Sequence, residues 1–153
     1  MKSKEQVTLD KIYITAAKNA AEQFDYGQTI SKRWLMNQFA IEEPEHGTRK
    51  DFEAFAFEYL QNVEGFKDEM LKTHRMQLAN VRGKGYMILE PKQQTDFAMT
   101  RLKDQVRTEI KKAVDTLSYI NEGLLTSEEI KHRDEAQGKI AAISAFHKIK
   151  RIA

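Results

Sequence analysis

Cysteine is absent from this chain of 153 residues, and proline and glycine are scarce, with two and seven residues. The lack of cysteine excludes disulfide scaffolds, thiol nucleophiles, zinc ribbons and iron–sulfur centres, and it fits a reducing, cytoplasmic location. Because few residues break regular structure, long helices are expected. No apolar run approaches the roughly 18–20 residues that cross a bilayer, so no membrane partner is expected.

An excess of charge of one sign is also missing, since 25 Lys and Arg residues are balanced by 23 Asp and Glu residues. The formal net charge of +2 gives no global attraction to a polyanion, so a nucleic-acid site would have to come from local charge. With 41% hydrophobic residues the chain can bury a core, which argues against global disorder.

Sequence patterns that carry catalysis or bind cofactors are not found. The serines lie in no nucleophile-elbow context, and Gly83-Lys84-Gly85 lacks the spacing of a P-loop. The four histidines lie far apart and lack metal-ligand spacing: His46, His74, His132 and His147. We therefore expect a protein that is not an enzyme and holds no cofactor and no metal.

Apolar residues at three- and four-residue steps predict two helices early in the chain. The first begins near Thr8 and stops before Gly27, and the second follows Ser31 as its N-cap and ends at about Ala40. Between them, Gln28-Thr29-Ile30 is short and partly β-branched, which favours a strand.

A third helix is predicted from the capping box of Thr48 and Asp51 to about His74. Gly65 leaves two alternatives open, a helix that breaks or kinks there and a continuous one. Phe57 lies off the main stripe and is expected to pack on the C-terminal helices or a second subunit. The predicted buried face comprises Phe52, Phe55, Ala56, Tyr59, Leu60, Val63 and Phe66, and the predicted aromatic core adds Phe57 to the aromatic members of that face.

The pattern then changes to a β-hairpin. Residues 77–81 alternate between polar and apolar, 82–85 carry two glycines typical of a turn, and 86–89 form a second strand. The predicted fold is therefore mainly α with one small hairpin.

Two amphipathic helices are predicted after the hairpin. The first runs from Thr95 to about Leu124 with near-heptad spacing, and the second opens at the capping box of Thr126 and Glu129. We expect them to form an antiparallel helical hairpin, with 1–91 as one domain and 92–153 as a dimerisation element. The residues predicted to pair subunits are Leu102, Val106, Ile110, Leu117, Ile140, Ile143 and Phe146.

The order helix, strand, helix, helix, strand, glycine turn, strand is that of a winged helix-turn-helix. The stretch Val81-Arg82-Gly83-Lys84-Gly85-Tyr86 also resembles the wing of response-regulator effector domains of the OmpR/PhoB type. That family's receiver domain and leading four-stranded sheet have no counterpart here, and its effector domain lacks a C-terminal helical hairpin.

The resemblance implies duplex DNA as the partner, with the helix before the wing in the major groove and the wing on the backbone or minor groove. Residues 48–75 would then hold the major-groove helix, and Lys32 and Arg33 would add backbone contacts. Expected phosphate contacts are Lys72, Arg75, Arg82 and Lys84, and expected base contacts are Lys67, Thr73 and His74.

Local charge supports one part of this interpretation and opposes another. Residues 71–92 hold five bases and one acid, whereas residues 42–70 hold nine acids and three bases. If the third helix breaks at Gly65, only its second half need face DNA. If it is continuous, its carboxylates would face the duplex and repel it, and the winged fold would serve protein binding instead.

Three hypotheses follow. The first is a homodimeric DNA-binding protein of a prokaryotic or phage cytoplasm, acting in transcription regulation or as a replication or partition factor. The second is a protein-interaction module, such as an inhibitor or adaptor, that uses the acidic face or the helical hairpin. The third is a single-strand or RNA binder that stacks bases on Trp34 and Tyr86. These two aromatics are distant in sequence, and both are expected to lie in the core.

Overall fold

The computed structural model describes residues 12–152, and these form two compact units that divide between Thr95 and Asp96. The chain is mainly helical with a small three-stranded antiparallel sheet, which confirms the predicted fold class. The predicted helix start near Thr8 lies outside the described residues. The elements are α1 (Ile12–Gln23), β1 (Thr29–Ser31), α2 (Lys32–Gln38), α3 (Arg49–Lys72), β2 (Leu78–Val81), β3 (Gly85–Ile88), α4 (Pro91–Ser118), a 3-10 turn (Glu122–Leu124) and α5 (Ser127–Ile152).

The helix α3 is continuous, so it does not break at Gly65. It begins at the predicted capping box, in which Thr48 accepts from the Asp51 backbone N–H and Asp51 accepts from the Thr48 backbone N–H. Gly65 has a different use, because a Cβ placed there would lie 2.9 Å from the ring of Tyr13 on α1. The missing side chain therefore lets α1 approach α3 closely.

The sheet has the strand order β1-β3-β2, with both neighbouring pairs antiparallel. Gly85 pairs with Ser31 on one side and with Val81 on the other, at the end of the sheet where the hairpin turns. A Cβ on Gly85 would collide with the backbone carbonyl oxygen of Ile30, and the φ of Gly85 is +132°. Glycine therefore permits β1 to join the hairpin.

The core of the first unit lies between α1, α3 and one face of the sheet. Each fully buried apolar side chain contributes about 1.5–3 kcal/mol by leaving water. Its largest fully buried members are Phe66, Ile30, Leu35, Met70, Ile88 and Val63.

The predicted buried face of α3 is wrong at its N-terminal half. Tyr59 and Val63 are buried, but Phe52, Ala56 and Leu60 are exposed. The apolar residues do form one stripe along α3, but α1 and the sheet cover only part of that stripe. Trp34, expected in the core, is half-buried and donates its indole N–H to Gln23 at 2.9 Å.

The second unit consists of α4 from Asp96 onward, the 3-10 turn and α5. The predicted bounds of α4, Thr95 to about Leu124, are wrong at both ends. The helix begins at Pro91, a residue suited to a first helical turn, and it ends at Ser118, before the separate 3-10 turn. The predicted capping box is present, since Thr126 accepts from the Glu129 N–H at 3.3 Å and Glu129 accepts from the Thr126 N–H at 2.7 Å. Leu117 of α4 faces Ile140 of α5 across a shared cleft, as expected for antiparallel neighbours. Along its described length, α4 has no buried residue.

We predict that Gly85→Ala destabilises the first unit strongly, by roughly 3 kcal/mol or more, because it combines a backbone collision with a strained φ. Gly83→Ala is the matched control in the same turn. Gly83 also has positive φ, at +76°, but a Cβ there meets nothing within 4 Å. Its cost should be about 1 kcal/mol. Equal midpoints for the two variants in chemical denaturation would contradict this role for Gly85.

Candidate nucleic-acid interface

The turn between β2 and β3 presents two cations to solvent. Arg82 and Lys84 are both exposed, as is Gly83 between them, whose positive φ closes the turn. Neither cation forms an ion pair within the described part of the chain, although carboxylates are frequent elsewhere in the sequence. Their charge is therefore available to an anionic partner.

The start of α2 adds two further cations at the same end of the sheet. Ser31 pairs with Gly85, and Lys32 and Arg33 follow directly as exposed residues. The Lys32 ammonium lies 5.5 Å from the ring centroid of Phe55 and 5.4 Å from that of Tyr59. These cation–π contacts restrict where the ammonium lies without neutralising its charge.

A concave groove of about 280 Å³ lies between these cations, and we call it the wing groove. Lys32 and Lys84 contribute ammonium groups to it, and none of its lining residues carries a carboxylate. It is lined by Lys32, Tyr59, Asn80, Val81, Gly83, Lys84, Gly85 and Tyr86. The groove is therefore a concentrated region of positive charge with hydroxyl and amide groups beside it.

Two tyrosines, Tyr59 and Tyr86, line the wing groove. Burial raises the pKa of Tyr59 to about 12, with a smaller contribution from repulsion by Tyr86. Tyr59, like any tyrosine well below pH 10, is protonated at physiological pH and can donate a hydrogen bond, and the raised pKa extends that range upward. Asn80 stands directly opposite Tyr86 in the β2–β3 register, which places both side chains on the same face of the sheet.

A second group of predicted DNA contacts lies at the other end of the hairpin. Lys72, Thr73, His74 and Arg75 precede β2, whose first residue pairs with Ile88 rather than with Gly85. Strands rise about 3.3 Å per residue, so this end is on the order of 10 Å from the wing. The predicted site is therefore divided into two clusters.

Internal contacts engage most of this second cluster. Lys72 pairs with Asp68 at 2.9 Å, and the Thr73 hydroxyl donates to Glu69 at 2.7 Å. Arg75 has a positive φ of 58° at the end of α3, and its carbonyl oxygen accepts from Gln94 at 3.4 Å. These residues close the helix as well as presenting charge.

Lys67, predicted to contact bases, is held within the first unit. It pairs with Glu64 at 2.9 Å and lies 5.6 Å from the ring centroid of Tyr86. The turn of α3 around Phe55 and Tyr59 lies beside the start of α2, as the contacts of Lys32 show.

The exposed surface of α3 is apolar and acidic. Phe57 is 64% exposed and Leu60 is 54% exposed, and the carboxylates of Glu53, Glu58 and Glu64 are also exposed. Glu53 and Glu64 each pair with a cation of the same helix, so part of this negative charge is compensated. This surface does not favour insertion of α3 into a DNA groove.

The sequence did not single out Tyr59 or Asn80 as site residues, and Tyr86 was considered only for base stacking. Tyr59 follows the apolar period of α3 and therefore indicated a core residue. Asn80 and Tyr86 could have been found from the sequence. Side chains alternate along each strand of a short hairpin, so the position of the turn predicts which residues stand opposite each other on one face.

Comparison with known proteins gives no relationship: no protein-family model, no curated protein and no solved structure matches this chain. Among residues 12–152, no helix is long and apolar enough to cross a membrane. The same residues contain no cluster of three or more His, Cys, Asp or Glu side chains that could hold a metal ion.

We predict a tyrosine titration with a midpoint of about 12 that disappears in Tyr59→Phe. The folded pKa lies above the ordinary value of 10.0, so the neutral hydroxyl stabilises the fold fully below pH 10. That contribution is lost as pH rises from 10 toward 12. Tyrosinate absorbance of the two proteins measures the difference, and a Tyr59 midpoint near 10 would show that the hydroxyl is freely solvated.

Proposed function

We propose that this chain is a winged-helix protein that binds duplex DNA through its phosphates and carries out no catalysis. The observation that supports the proposal is the convergence of Lys32, Arg33, Arg82 and Lys84 at one end of the sheet, without ion pairs in the described part of the chain. Such a cluster gives the local positive potential that phosphate binding requires, although the net charge is only +2.

The proposed contact differs from the arrangement that the resemblance implies. The wing and the start of α2 hold the backbone, while the exposed face of α3 does not read bases in the major groove. Binding should then depend weakly on sequence, because phosphate contacts position a protein without specifying a base sequence. This favours an accessory or architectural task in replication, partition or transcription over recognition of one operator.

The second unit supports the proposal of a homodimer. Leu102 is 53% exposed and Ile143 is 56% exposed, and Phe146 is also exposed, whereas Val106, Ile110, Leu117 and Ile140 are half-buried. No described residue of α4 is fully buried, so the two helices leave much of their apolar surface in water. Pairing two hairpins as a four-helix bundle would cover that surface.

A second candidate function is protein binding by α3. Its support is the unbroken helix, which carries Phe57 and Leu60 exposed among carboxylates. Exposed aromatic and aliphatic side chains of this kind are typical of interaction surfaces. The two candidates use different faces of the first unit, so one experiment on DNA distinguishes them.

We predict that the double variant Arg82→Ala, Lys84→Ala weakens binding to random duplex DNA and lowers its salt dependence by about one to two counterions, because two phosphate contacts are lost. Fluorescence titration at several salt concentrations, starting at about 50 mM, measures both quantities. The matched control is Lys18→Ala, Lys92→Ala, which removes the same charge from exposed positions outside the cluster.

The control should bind as the parent does. If the wing variant also binds as the parent does, the interface is wrongly placed. If the parent itself has no affinity at about 50 mM salt, where non-specific binding is strong, duplex binding is refuted and the protein-binding candidate is favoured.

We predict that Leu102→Asp shifts the protein from dimer to monomer, because a carboxylate in an apolar interface would be buried without a partner. Sedimentation velocity measures the change. Gln105→Asp places the same group at an exposed polar position of α4 and should leave the dimer intact. A parent protein that is monomeric at all concentrations, or two variants with equal behaviour, would contradict dimerisation through this helix.

A further inference from the structure

We propose that the wing groove is a binding site for a single phosphate group. The proposal deepens the proposed function, and it depends on that function only in naming nucleic acid as the source of the phosphate. The observation behind it is that two lysines, two tyrosines and one asparagine line one concave surface that has no acidic residue.

The chemistry of the lining side chains favours an oxyanion. Lys32 and Lys84 supply positive charge, Tyr59 and Tyr86 supply hydroxyl donors, and Asn80 supplies an amide donor. None of the lining residues is an acid that would repel an anion or neutralise the lysines. A cavity of about 280 Å³ is smaller than the roughly 300–1,000 Å³ of most sites for drug-sized ligands, and it suits a small group.

Part of this site is arranged before any ligand binds. Lys32 rests over the rings of Phe55 and Tyr59, at 5.5 and 5.4 Å from their centroids, which limits the entropy lost on binding. Tyr59 is buried and packs with its ring parallel to that of Phe55, at 6.3 Å between centroids. Its hydroxyl, like that of any tyrosine at physiological pH, is protonated and able to donate.

Lys84 and Arg82 differ in their position relative to the wing groove. Both belong to the turn, but only Lys84 lines the wing groove in the described structure. Arg82 should therefore contribute to duplex binding through general attraction, whereas Lys84 should also determine binding of an isolated phosphate ion. This difference separates the site from the wider basic surface.

The first test uses inorganic phosphate and NMR of the full chain. Phosphate should shift the backbone amides of residues 83–86, and Lys32→Gln and Lys84→Gln should each weaken binding about tenfold, the effect of one charge-assisted hydrogen bond. Lys32→Arg should restore most of the affinity because it keeps the charge. The control Lys18→Gln, at an exposed position outside the cluster, should change binding little.

Tyr59→Phe provides a second variant that keeps the packed ring and removes only the donor. It should weaken phosphate binding by several-fold with unchanged amide shifts elsewhere in the first unit. The proposal is overturned if phosphate leaves the amides of residues 83–86 unmoved. Equal effects of Lys18→Gln and Lys32→Gln would overturn it as well, since they would indicate attraction by net charge alone.

The second test finds the source of the phosphate by comparing duplexes of one sequence with 5′-phosphate and 5′-hydroxyl ends. Tighter binding of the phosphorylated duplex, lost in Lys32→Gln, supports a terminal phosphate. Equal binding of both duplexes, weakened in Lys32→Gln, supports an internal phosphate. If the parent binds both duplexes and Lys32→Gln weakens binding to neither of them, the phosphate site is refuted while the proposed function stands. If the parent binds inorganic phosphate but neither duplex, the proposed function is refuted while the phosphate site stands.

Discussion

The antiparallel pairing of β1 with β3 is the interaction on which the rest of the first unit depends. It brings the backbone of Ile30 so close to Gly85 that no side chain fits between them. Because Lys32 follows β1 directly, this pairing also places the start of α2 beside the wing. The cationic groove is therefore a consequence of sheet formation, and a residue with a Cβ at position 85 would disrupt both.

The helix α3 connects the core to two different surfaces. Its buried stripe, centred on Phe66, holds α1 and the sheet together, and Gly65 allows Tyr13 to pack close to the helix axis. The turn at Phe55 and Tyr59 forms one wall of the wing groove. The opposite side exposes Phe57 and Leu60 among carboxylates, so phosphate binding and protein binding would not compete for the same residues.

The interactions that stabilise the second unit differ from those that stabilise the first. Its helices are well capped, for example by Thr126 and Glu129, and Arg133 joins Glu122 and Asp134 in an ion-pair group near the turn. The two carboxylates of this group are exposed, and ion pairs at a surface contribute little to stability, whereas apolar contact is what holds helices together. The exposed apolar side chains are therefore the feature of this unit that most needs a partner surface.

The sequence alone determined the helices, the hairpin and both capping boxes, because periodicity, turn glycines and Ser/Thr caps act over a few neighbouring residues. It also located the exposed cations of the wing. Only the tertiary structure decided that α3 continues through Gly65, and it showed that the glycine accommodates the ring of Tyr13, which is distant in sequence. The same holds for the wing groove: Lys32, Tyr59 and Lys84 belong to three separate elements, and strand register and helix packing bring them together.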